Sequence, residues 1–155
     1  MNAPSKKATS IDLAVESITI DGQLCAVVVK AEYDKEGIKF FTAGELSQQL
    51  ASMSYRRGKV IAAHTHNEVH REVFYTQEAL FIRKGKLRVD FYSVAQEYRC
   101  SRILAAGDVI LLVAGGHGFE VLEPLNMVEV KQGPYAGESD KTVFTATLPP
   151  KLNFE

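Results

Sequence analysis

The stretch Gly58–Gly85 reads GKVIAAHTHNEVHREVFYTQEALFIRKG. Its reading decides the fold and most of the chemistry. Val60–Thr65 is apolar and β-prone, and a strand turns residues i and i+2 to the same face. On such a strand His64 and His66 project together, as two ligands of one metal would. Asn67–Arg71 is polar and reads as a loop. Val73–Arg83 is a long apolar, β-branched run, and Gly85-Lys86 turns it. Glu78 interrupts that run, on the face shared by Thr76, Leu80 and Ile82. A buried carboxylate is costly unless it is paired or metal-bound. Imidazole plus carboxylate with positions left open suits a divalent first-row ion. The plainer readings are a solvated face for His64 and His66, and a salt bridge to an arginine for Glu78. His70 is either a solvent-exposed loop residue or a replacement for Glu78 in the metal shell.

Outward from this stretch the pattern stays extended. Ile11, Leu13 and Val15 alternate with polar residues, as do Ile18 and Ile20. Asp21-Gly22 is a strong hairpin turn, and Leu24–Val29 is the returning strand. Glu32–Gly37 is a charged loop, and Ile38–Thr42 a short strand. Leu46, Gln49 and Leu50 share a helical face, so Glu45–Ser54 reads as helical turns or as a strand from Gln49 to Arg57. A strand preceding Gly58 favours the second. Downstream, Leu87–Val94, Tyr98–Leu104, Val109–Val113, Phe119–Leu122 and Met127–Lys131 are short strands. Pro124 stops one of them, and GPYAGESDK after Lys131 is a loop. The sum is about ten short strands separated by Gly, Asp and Asn turns, which predicts an all-β sandwich or barrel.

Two segments of this chain together resemble the cupin motifs. Gly58, five residues, His64-Thr65-His66, then Glu78, six residues and Gly85 is similar to the first. Gly107-Asp108-Val109-Ile110-Leu111-Leu112-Val113-Ala114-Gly115-Gly116-His117 is similar to the second. The gap from His66 to Glu78 is eleven residues, where the family pattern has three or four. Val113 stands in place of a proline, and His117 falls one residue early. The resemblance implies a cupin-type double-stranded β-helix, a jelly-roll barrel over residues 10–155. It implies His64, His66, Glu78 and His117 as ligands of one divalent ion, chosen among Fe, Mn, Ni, Co and Zn. It also implies a homodimer, joined through edge strands or the N-terminal hairpin.

Composition bounds the rest. The 155 residues suit one domain with a sizeable core, 46% hydrophobic and 24% charged. Residues 1–9 are small, polar and basic, and read as a disordered arm. The net charge of −1 argues against bulk nucleic-acid binding. No apolar run approaches a membrane span, and MNAPSKKATS lacks the apolar centre of a signal peptide. Cys25 and Cys100 are isolated and read as apolar fillers in a reduced, cytoplasmic setting.

Cationic and phenolic side chains flank the motif. Arg56, Arg57, Arg71 and Lys131 could line one mouth of the barrel and hold a carboxylate or phosphate, since Arg forks match such oxygens. An ordinary charged surface is the competing reading. Tyr55 and Tyr75 are candidates for a catalytic proton donor. The expected function is a metal-dependent enzyme, such as an oxygenase, isomerase or epimerase. Its substrate would be small, polar or anionic, and sugar-like compounds fit. The alternative is a metal- or ligand-sensing module without turnover.

Overall fold

The structure, a computed structural model, describes residues 12–155. The expected arm over residues 1–9 lies outside the described residues. The chain is all-β: eight strands and two short 3-10 turns, with no α-helix among the described residues. Strands β1 (Val15–Ile20) and β2 (Gln23–Val29) form the expected hairpin. Its turn residues Asp21 and Gly22 have φ of 50° and 82°, the left-handed values that a two-residue turn of this twist requires. β3 (Gly37–Phe40) and β4 (Ala51–Ser54) make a small separate sheet. β5 (Glu78–Tyr92), β6 (Tyr98–Ala105), β7 (Val109–Leu112) and β8 (Gly116–Lys131) complete the main sheet. Its order is β1-β2-β7-β5-β6, with β8 on the other side of β5.

The long ribbon of β5 and β8 shapes the molecule. Glu78 stands opposite Lys131 at one end, and Phe91 opposite His117 at the other. A straight strand would hold these ends roughly 40 Å apart at about 3.3 Å per residue. Instead Glu78 Oε2 lies 3.4 Å from His117 Nε2. The ribbon therefore curls through most of a turn, and the sheet becomes a half-barrel.

The bend is at Gly85. The register slips between Ile82 and Leu87, as at a series of bulges. Leu80 and Ile82 are buried before it, and Leu87, Val89 and Phe91 after it. The inward positions thus change from even to odd, so the slip keeps apolar residues facing the concave side. Gly85 has a φ of +84°, and a Cβ there would collide with the carbonyl of Pro124 on β8. Only glycine lets the two backbones pass.

The concave core joins Ile18, Cys25, Val28, Leu80, Leu87 and Phe91 with their buried neighbours. A smaller cluster lies elsewhere, where Ala79, Leu111 and Val113 pack against Leu46 and Leu50. Both thiols are free and buried, as fillers of the core. The buried carboxylates of the main sheet and its turns are satisfied by side chains and backbone. Asp108 accepts from the backbone N–H of Ala31 and of Ala105 and from Lys30, each at 2.9 Å. Asp90 holds the Arg88 guanidinium at 2.8 and 2.9 Å and accepts from the buried Ser101 hydroxyl at 2.6 Å.

Several expected boundaries are corrected. Val60–Thr65 is not a strand: it forms no ladder, and Val60 and Ile61 are exposed. The strand before Gly58 is Ala51–Ser54, shorter than Gln49–Arg57. The run Val73–Arg83 becomes β-structure only at Glu78, where β7 and β8 supply neighbours on both sides. Gly85-Lys86 is not a turn between strands, and Pro124 does not end one. β5 and β8 run through these positions by bulging.

Candidate functional site

The concave mouth of the half-barrel is set by the inward residues of β5 and β8. Cross-strand partners share a face. Glu78, opposite Lys131, and His117, opposite Phe91, therefore both face inward. Curling brings them together, with side chains 17% and 29% exposed. Lys131 Nζ lies 3.7 Å from Glu78 Oε1 and 3.2 Å from Asp140 Oδ2. The result is a continuous line of ionisable groups, His117–Glu78–Lys131–Asp140. Phe119 packs beside it, its ring centroid 5.3 Å from that of His117.

The electrostatics favour a neutral imidazole. Burial holds His117 below its ordinary pKa, with Glu78 pulling the other way. A neutral ring has a nitrogen lone pair to offer. The neighbouring Asp140 raises the Lys131 ammonium above its ordinary value. Asp140 Oδ2 is buried and has no aligned hydrogen-bond donor, so Lys131 meets it as a charge.

The other two predicted ligands lie apart from this pair. His64 and His66 sit on the exposed segment after Gly58, with ring centroids 5.3 Å apart. His64 Nδ1 donates to the Ala62 carbonyl at 2.9 Å, which leaves Nε2 as its free nitrogen. His70 is exposed and approaches only Glu72, at 4.0 Å. By donor type, each half suits a divalent first-row ion. By position the four are not gathered: no group of three or more His, Cys, Asp or Glu able to hold a metal occurs among the described residues.

The predicted cations separate into two kinds. Arg56 is held by Glu36 at 2.9 Å on the surface, and Lys131 is taken up by Glu78 and Asp140. Arg57 and Arg71 have no ion pair among the described residues. Arg71 lines two clefts. One cleft, of about 610 Å³, has Arg71, Phe74, Tyr75, Thr76, Gln132 and Asp140 in its wall. A second, of about 650 Å³, shares Arg71 and Ser47 with it. Tyr75 thus neighbours a free guanidinium, whereas Tyr55 lies elsewhere under Lys59, 5.9 Å from its ring centroid.

Sequence reasoning missed Asp140 and Gln77. Asp140 ends a 3-10 turn, Gly137–Asp140, inside what reads as a featureless loop. Gln77 is buried and accepts at its Oε1 from the Gln48 N–H, 3.1 Å away. Its carbonyl accepts from the Gln132 N–H at 2.8 Å. Gln77 so anchors both loops that wall the clefts. Its position, one residue before Glu78, was the only available signal.

No helix among the described residues is long and apolar enough to cross a membrane. Compared with family models, with curated proteins and with solved structures, the chain matches none.

Proposed function

We propose that this protein is a metal-binding jelly-roll domain of the cupin kind that takes a small anionic ligand. The observation that carries this reading is the Glu78–His117 contact at 3.4 Å, built by closure of a long ribbon. A carboxylate and a neutral imidazole meet there at the concave mouth of a half-barrel. His64 and His66 would supply the remaining ligands. Bound there, a divalent ion would act as a Lewis acid toward ligand oxygens and could activate water or dioxygen. Phe119 keeps one side of the mouth apolar. Arg71 orients the ligand through an anionic group, and Tyr75 sits where it can hold a proton beside that group. Gln132 and Thr76 offer neutral hydrogen bonds in the same wall.

One observation favours a second reading, a ligand-binding module without metal. Glu78 already has the Lys131 ammonium and the His117 ring as neighbours, and needs no ion to be satisfied. Elemental analysis of protein purified without chelator separates the two readings. The metal reading expects one divalent ion per chain, lost in His117→Ala and in His66→Ala and weakened in Glu78→Ala. Wild-type protein that stays metal-free when supplied with Mn, Fe, Ni and Zn in turn rejects it. Once a ligand is found, Arg71→Ala is expected to weaken its binding by about 1.5–3 kcal/mol, the worth of a charge-assisted hydrogen bond. Metal content is expected to stay unchanged in that variant.

A further inference from the structure

β8 is a sixteen-residue strand with one neighbour. Its other edge presents backbone N–H and C=O groups with no ladder partner among the described strands. Apolar side chains are exposed on both of its faces, with Phe119 and Val121 on one and Val128 and Val130 on the other. A long apolar edge of this kind is a template for another strand. Its charged residues up to Val130 are all acidic; Arg88 holds Glu120 and Lys86 holds Glu123, while Glu129 has no ion pair among the described residues.

The same chain carries a segment with the complementary properties. Apart from His64, Val60–Thr65 is β-branched or small, and it makes no backbone–backbone hydrogen bond among the described residues. Val60 is 81% and Ile61 58% exposed. The segment is led by Arg57 and Lys59, which have no ion pair among the described residues, and no acid occurs between Ser54 and Glu68. It follows β4, which pairs only with β3, outside the main sheet. Within one copy it makes no hydrogen bond to β8. A basic extended segment without a ladder partner and a long sheet edge without one therefore coexist in every copy.

We propose that two copies exchange Lys59–His66, each adding this segment as a strand to the free edge of the other's β8. The exchange is reciprocal, so it closes on a two-fold axis and leaves no segment over. Strand addition satisfies the edge and lays Val60, on the same strand face as His64 and His66, beside Phe119 and Val121. It also carries His64 and His66 toward the mouth where Glu78 and His117 wait. That last consequence rests on the metal reading above. Each site would then be composite, with two histidines from one copy and a histidine and a glutamate from the other.

The tests separate the exchange from the metal. Wild-type protein is expected to sediment with the mass of two chains. Ile61→Pro, which removes a donor and cannot extend a ladder, is expected to sediment as one chain with an unchanged circular dichroism spectrum. Arg57→Glu combined with Lys59→Glu, on exposed positions that leave the core intact, is expected to weaken the pair at least tenfold. A wild-type mass of one chain, or an Ile61→Pro protein that still pairs, overturns the exchange. For the composite site, chains carrying His64→Ala and His66→Ala are co-expressed with chains carrying Glu78→Ala and His117→Ala. Mixed pairs, purified through a different tag on each chain, are expected to bind one cobalt(II) ion, while neither parent binds any. Mixed pairs without cobalt, beside a wild type that binds it, overturn the composite site and leave the metal reading standing. A wild-type pair that depends on Ile61 but binds no cobalt rejects the metal reading and leaves the exchange.

Discussion

Two regions of this chain look alike in sequence and differ in structure. The ribbon of β5 and β8 and the stretch from Gly58 to Gln77 are both rich in valine, isoleucine and aromatic residues. The first is the spine of the sheet. The second forms no ladder. Each inward residue of β5 has a partner directly across on β8, and β6 or β7 lies along most of its other edge. Between Gly58 and Gln77 the apolar residues fall in pairs, Val60-Ile61 and Val73-Phe74, which no single sheet face can bury together. β-propensity is thus permission to extend, and a neighbour in register makes the strand.

Truncating a side chain in each region gives the sharpest contrast. Leu80→Ala, at a site 1% exposed, is expected to cost about 2–5 kcal/mol in urea unfolding, from lost burial and a cavity. Phe74→Ala, at a site 83% exposed, is expected to change stability by less than about 0.5 kcal/mol. Equal costs would mean that the second stretch is packed after all.

The two motif glycines give a finer contrast. Both have left-handed φ, +90° at Gly58 and +84° at Gly85. A Cβ at Gly58 meets nothing within 4 Å, whereas one at Gly85 strikes the Pro124 backbone. Gly58→Ala is expected to cost only the conformational strain, on the order of 1–2 kcal/mol. Gly85→Ala adds a backbone displacement and is expected to cost on the order of 3 kcal/mol or more by the same measurement. A Gly85→Ala protein no less stable than Gly58→Ala would remove the bend from the account of the half-barrel.

Smaller still is the expected loss at Ser101. Its hydroxyl is fully buried and donates to Asp90, and the Tyr98 hydroxyl lies 2.7 Å beyond it. Ser101→Ala removes one of the two donors to Asp90 Oδ1, the other being Arg88 Nε, and is expected to cost about 1 kcal/mol. Last, the thiols of Cys25 and Cys100 are expected to resist alkylation at pH 8 in the folded protein and to react on unfolding. Burial raises the pKa of both, and the thiolate is the reactive form. Rapid labelling of Cys100 under native conditions would place the β6 side of the core in solvent.

The hairpin of β1 and β2 was legible because its signal is local: Asp21-Gly22 can take the left-handed turn that neighbouring residues resist. The passage of β5 through Gly85 and of β8 through Pro124 was not legible. A glycine or proline ends a strand unless a distant partner supplies a bulge at that position, and sequence does not display the partner. Glu78 stood out as a carboxylate within an apolar run, and it does lie in a half-buried ion pair. The plainer reading gave it an arginine, and Lys131 and His117 hold that place. His64 and His66 were placed on a strand by their apolar context alone. Asp140 carried no pattern, because its position depends on how the segment after Lys131 folds back.

The far end of the chain bears on how many copies can associate. Asn153 lies against β6, accepting at its carbonyl from the Ser101 N–H at 2.6 Å and donating to the Tyr98 hydroxyl and the Arg99 carbonyl. The first half of the sheet's border at β6 is thereby occupied by the chain itself. A sheet adhesive at two borders has a valency of two and grows without limit into a filament. Filling one border from within lowers that valency. Asn153 occupies pairing groups along that short stretch of β6, a role that no inspection of the mouth or the core would assign to it.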